Sequence, residues 1–94
     1  MEKMQKLQMM DKIIRELDDL KSSQTSVLKK VTQIETENIS LSLPVLDKEL
    51  PDIHENIDKG IEKVASLADE FKAYRDKFST DNKLEEQPAE NSWT

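Results

Sequence analysis

MDKIIRELDDLKSSQTSVLKKVTQIETENISL, residues 10–41, decides the fold, because its apolar residues recur at alternating spacings of three and four. That spacing keeps returning to one side of an α-helix and defines a heptad seam. With Met10, Leu17, Gln24, Val31 and Asn38 at position a, position d holds Ile13, Leu20, Val27, Ile34 and Leu41, all aliphatic. The polar residues Gln24 and Asn38 read as a register device: a buried amide costs stability and is satisfied best opposite another amide. This favours parallel pairing of like helices. In such a pair Glu16 faces Lys21 and Lys30 faces Glu35. Both contacts are attractive, each contributing about 0.2–1 kcal/mol, and they report orientation better than strength. Met9, Ile14 and Leu28 widen the stripe beyond a two-helix seam and point to more than two helices in contact.

Working outward, residues 40–51, SLSLPVLDKELP, carry Pro44 and Pro51 and interrupt the first helix. Proline disfavours helix in the residue before it and removes a backbone donor, so the segment reads as a connecting hinge. Two alternatives remain open there. Ser42 caps a helix that begins at Leu43, with Pro44 in its first turn and Pro51 as a kink; or Leu41, Leu43 and Val45 mark a short extended stretch, for which no partner strand is visible.

Beyond the break the seam resumes with Leu50, Ile57, Val64, Phe71 and Phe78 at a, and Ile53, Gly60, Leu67 and Tyr74 at d. Ile61, Ala65 and Ala68 broaden it. Asp52 and Glu55 near the start, and Lys72, Arg75 and Lys77 near the end, suit the helix dipole. The two seams are out of phase when carried across the break, so two helices fit better than one rod. Gly60 weakens its helix by roughly 1 kcal/mol relative to Ala, or admits another backbone; weak spot is the stronger reading.

The expected architecture is all-α: a first coiled-coil helix over 1–39, a hinge over 40–51, a second amphipathic helix over 52–78, and a disordered acidic tail over 79–94. The helices form a hairpin or a kinked coiled coil, completed as a bundle by oligomerisation or a partner. A parallel dimer through the first helix is the competitor. Within the aperiodic tail, Leu84 and Trp93 are candidate anchors for a partner's groove.

Composition narrows the function. Charged residues make up 36% of the chain and hydrophobic ones 35%, so the spacing, not the amount, of apolar residues carries the fold. The net charge of −6, without a basic stripe, argues against nucleic acid. Cysteine is absent, which removes disulfides, thiolate metal sites and cysteine nucleophiles. No apolar run reaches membrane-spanning length and the start lacks a signal-like apolar region, so an intracellular, cytoplasmic protein is expected.

Residues suited to chemistry are sparse. His54 with Asp58 is the nearest approach to a metal pair, and two ligands fall short of the three or four zinc needs. Asp18–Asp19 and Glu85–Glu86 are adjacent and point apart on a helix. The hydroxyls of residues 22–26 have no base nearby, and no glycine-rich loop can hold phosphate. The methionines Met1, Met4, Met9 and Met10 fill a core more readily than they form an adaptable binding face. We therefore expect no catalytic, cofactor-binding or metal residues. The chain reads as a non-enzymatic coiled-coil subunit or oligomerising adaptor, with itself or other helical proteins as partners. The alternative is a small acidic chaperone or inhibitor that covers a partner's hydrophobic or basic surface.

Overall fold

In the computed structural model, which describes residues 1–84, two long helices fold back on each other. Helix α1 spans Lys3–Leu41 and helix α2 spans Pro44–Asp81. Together they form an extended antiparallel hairpin of 65 × 23 × 18 Å. At the start of α1 the Glu2 N–H donates to the Gln5 side chain at 3.1 Å, which satisfies one of the backbone donors left free at a helix N-terminus.

The reversal is far tighter than the expected hinge over 40–51. Only Ser42 and Leu43 lie outside helix. Ser42 adopts the left-handed conformation, with φ 53° and ψ 43°, and its N–H donates to the Asn38 carbonyl at 2.6 Å. This is the single-bond left-handed ending that normally favours glycine. Leu43, in extended conformation, caps α2, and Pro44 occupies its first turn, where a missing N–H loses nothing. No strand forms around Leu41, Leu43 and Val45. The helix start is thus close to the alternative reading, except that Leu43, not Ser42, holds the cap position.

Asn38 closes this turn. Its side-chain carbonyl accepts the Leu43 N–H at 3.1 Å, and its amide donates to Asp47 Oδ1 at 2.7 Å. Asp47 in turn sits in the first turn of α2, where the dipole favours a carboxylate. The expectation that Asn38 would be satisfied by a like amide in a parallel pair is therefore corrected. Its side chain is buried and hydrogen-bonded within its own chain, in an antiparallel hairpin. Helix α2 also continues through Pro51, although the ring removes the N–H that would reach the Asp47 carbonyl. Burial of the adjacent Leu50 holds the segment in place.

The far end departs from the expected tail over 79–94. Helix α2 runs to Asp81, and Ser79 is fully buried. Lys83 turns left-handed at φ 58°, the Leu84 N–H donates to the Ser79 carbonyl at 2.9 Å, and the Lys83 N–H to the Thr80 carbonyl at 3.1 Å. This pair of bonds is a Schellman ending, whose usual companion is an apolar residue folded back on the helix. Leu84 plays that part and is buried, beside a depression bordered by Met1 and Met4. Its expected role as an anchor for another protein gives way to this contact with its own chain. Trp93 and the acids of the tail after Leu84 lie outside the described residues.

Two substitutions at the reversal should act in opposite directions. Asn38→Ala leaves the Leu43 N–H and Asp47 without partners and is expected to cost about 1–3 kcal/mol in a urea titration. Ser42→Gly relieves the left-handed backbone and should stabilise by about 0.5–1 kcal/mol.

Candidate interaction surface

The seams are real, but the hairpin uses only one side of them. Position a faces the opposite helix on both strands of the hairpin: Val31, Asn38 and Leu50 are buried, and Met10, Leu17, Gln24, Ile57, Val64, Phe71 and Phe78 are half-buried. The second inward row is position e, not position d. It holds Leu7 and Ala68, which are buried, Ile14, Leu28, Glu35, His54, Ile61 and Arg75, which are half-buried, and Lys21 and Asp47, which are exposed. Position d is left largely outside, with only Leu46 and Gly60 half-buried among the described residues. Ile13, Leu20, Val27, Ile34 and Leu41 on α1 are 37–63% exposed, and Ile53, Leu67 and Tyr74 on α2 are 45–60% exposed.

Helix geometry places these exposed residues together. Successive residues turn by about 100°, so rows a and e lie about 40° apart, with row d about 80° to one side of their midline and row b about 80° to the other. Reversing a helix reverses the sense of rotation. In an antiparallel pair facing through a and e, both b rows therefore share one flank and both d rows share the other. The Lys72–Asp18 ion pair, 3.8 Å long, joins two b positions and fixes the first flank. The d rows form the second.

Contacts along the interface also set the register. Arg75 Nε donates to Asp11 Oδ1 at 2.7 Å, and His54 Nδ1 lies 2.7 Å from Glu35 Oε1. These bring Tyr74 level with Ile13, Leu67 with Leu20, Gly60 with Val27, and Ile53 with Ile34. The flank is thus a ladder of apolar pairs, interrupted at Gly60 and ended by Lys6 and Asp81 at the open end. Phe71 and Tyr74 stack with ring centroids 6.5 Å apart, carrying the buried row out to the exposed one.

The opposite flank is different in chemistry. Its b row on α1 runs Asp11, Asp18, Thr25 and Thr32, with Ile39 apolar near the tip, and α2 adds Asp58 and Lys72. The Thr25 and Thr32 hydroxyls donate to the carbonyls four residues back. The hydrogen-bonded Asp11 carboxylate holds the Arg75 guanidinium more firmly protonated than usual. One flank is therefore mostly polar, with Asp11 and Asp18 paired across it and Ile39, Pro51 and Ala65 as apolar members, while the other is largely apolar and uncovered.

Sequence reading found rows a and d and missed row e. Its signal was present in Ile14 and Leu28, which widened the stripe, but Glu35, His54 and Arg75 in the same row hid it. Gly60 lies beside Gln24: an added Cβ would sit 3.2 Å from Gln24 Nε2. The Gln24 Oε1 is buried without a hydrogen-bond partner among the described residues. Among those residues no group of three or more His, Cys, Asp or Glu side chains is placed to hold a metal ion, and no helix is long and apolar enough to cross a membrane. Comparison with protein-family models, with curated proteins and with solved structures returns no match.

Gly60→Ala tests how tight this crossing is. The atom it meets is the far end of a flexible side chain, so the helix-propensity gain should prevail, with a net stabilisation of about 0.5–1 kcal/mol in thermal or urea unfolding.

Proposed function

We propose that this chain is a non-enzymatic helical interaction protein, a small structural subunit or oligomerising adaptor that works by laying its apolar flank against other helices. The observation that carries this reading is the alignment of both d rows on one side of the hairpin, from Ile13 and Tyr74 at the open end to Leu41 near the tip. Isolated exposed apolar residues are ordinary on protein surfaces, whereas a contiguous apolar strip rimmed by polar residues marks an interaction site. The seam direction supports the same reading. The midline of rows a and d points about 50° away from the hairpin's own a/e midline, near the 45° at which each helix of a four-helix bundle faces the common axis. A cysteine-free sequence is compatible with the cytoplasm as its setting.

A second reading, an acidic chaperone or inhibitor, is favoured by one feature. Glu55, Glu62, Asp69 and Asp76 form an exposed acidic row along the outer edge of α2. Such a row suits a basic partner surface.

The double substitution Leu20→Glu with Leu67→Glu tests the leading reading. Both side chains are exposed, so helix content by circular dichroism should hold. The wild-type chain should either exceed monomer mass in light scattering or, as a monomer, bind the apolar dye ANS, and the variant should lose whichever is seen. A monomer that binds no dye, with the variant indistinguishable from it, would remove the flank as an interaction site. Replacing Glu55 and Glu62 by Gln and Asp69 and Asp76 by Asn separates the two readings. A helix-docking subunit keeps its association, whereas an acidic sheath loses affinity and salt sensitivity.

A further inference from the structure

We infer that the apolar flank is covered by a second copy of this chain, related by a two-fold axis parallel to the hairpin's long axis, so that both tips lie at the same end of a four-helix bundle. This rests on the reading of the flank as a helix-docking surface and names its occupant.

Self-complementarity is the first ground. Because the d residues of α1 and α2 are level with each other, rotation about an axis along the hairpin sets every layer on its own counterpart, with no offset. Such a two-fold contact uses the same patch on both partners. A second copy supplies two antiparallel helices of matching length, which are the two that the a/d direction lacks. A face running much of the 65 Å length and 23 Å width of the hairpin offers on the order of 1,000 Å², against about 800 Å² per partner in an ordinary stable interface.

Gln24 selects the orientation. Its Oε1 is buried without a partner among the described residues, in the middle of row a. That oxygen is already sealed inside the single hairpin, where the amide end lies beside Gly60, so it gains a partner when the side chain turns toward the flank; with the axis along the bundle, Gln24 of each copy lies in the same layer, where amide can then bond amide. The other two-fold, perpendicular to the helices, covers the whole flank only when it passes level with Val27. It then sets Gln24 against Val31 of the second copy and leaves the orphan oxygen sealed among aliphatic side chains. Buried polar groups without partners are disfavoured, so the axis along the bundle prevails.

The same arrangement brings Glu16 beside Glu70, and Glu37 beside Glu49, across the rims. Pairing of like charges predicts a dimer that tightens as salt is raised, the reverse of binding to a basic partner.

The test uses the full chain, which has no native cysteine, with a nitroxide on Lys48→Cys near the tip. Light scattering at micromolar to hundred-micromolar concentration should give a dimer whose Kd falls severalfold between 20 and 500 mM NaCl. Double electron–electron resonance should show one short distance, about 20–35 Å, set by the width of two to three helices of 10–12 Å diameter. A dimer with labels separated by most of the 65 Å hairpin length would overturn the orientation, and a monomer or a trimer would overturn the second-copy assignment. Neither result decides the docking reading, which the dye and the double glutamate variant decide separately. In Gln24→Leu the polar layer no longer discriminates, so both distances should appear; an unchanged single distance would overturn the role given to Gln24.

Discussion

Everything in this hairpin follows from where Asn38 stops the first helix. Its backbone carbonyl holds the Ser42 N–H, its side-chain carbonyl holds the Leu43 N–H, and its amide holds Asp47, so one residue ends α1, orients the turn and fastens the start of α2. A reversal one residue earlier or later would rotate every following side chain by about 100° and put different rows in contact. With the reversal fixed here, rows a and e close against each other along the full length. The alignment of the d rows on one flank is a consequence of that closure.

Row e lies inside because it can be packed closely and paired. Ala68 is small, Leu7, Ile14, Leu28 and Ile61 supply apolar contact, Lys21 stays exposed, and the enclosed charged members have partners: Glu35 with His54, and Arg75 with Asp11. Arg75 is the most enclosed of these, and its fork reaches Asp11 through both Nε and Nη2, a geometry lysine cannot reproduce. From Ile13 to Leu41 and from Ile53 to Tyr74, row d holds larger aliphatic residues, Gly60 and an exposed tyrosine, with charge only at the open end, where Lys6 and Asp81 stand. Such a row gains most from contact with another apolar surface and least from water.

Much of this was legible in the sequence, and what was not has physical causes. The heptad spacing announced two helices, the a row and the aliphatic d row, because periodicity reports which residues share a side of a helix. It does not report which edge of a wide stripe faces which neighbour. Rows d and e flank row a almost symmetrically, so only the tertiary contacts of Glu35, His54 and Arg75 distinguish them. Asn38 was misread for a related reason: an asparagine at position a can pair with its like or cap a turn, and its partners Leu43 and Asp47 become visible only after the chain has folded back. The hinge looked long because prolines at 44 and 51 suggest irregular chain, yet one sits in a first turn and the other is carried within a packed helix. The tail boundary was set too early because the ending at Ser79–Leu84 depends on backbone conformation at Lys83, which has no sequence signature as plain as a glycine.

The unequal flanks bear on what kind of assembly this chain can enter. Five hydrophobic residues are buried among the 84 described, a small core for two helices of this length without a disulfide. Chains of this size commonly gain stability by association. Because the b flank is mostly polar and partly paired within the chain, the proposed association has one extended apolar face to use. A subunit with two such faces would propagate into open arrays, whereas one face is consumed when it is covered. The charge on the outer edges acts in the same sense, since residues such as Glu55, Glu62, Asp69 and Asp76 repel further copies approaching from the side. Under the proposed docking, a hairpin built this way would enter a closed complex of fixed size, in which the remaining apolar surface is used once.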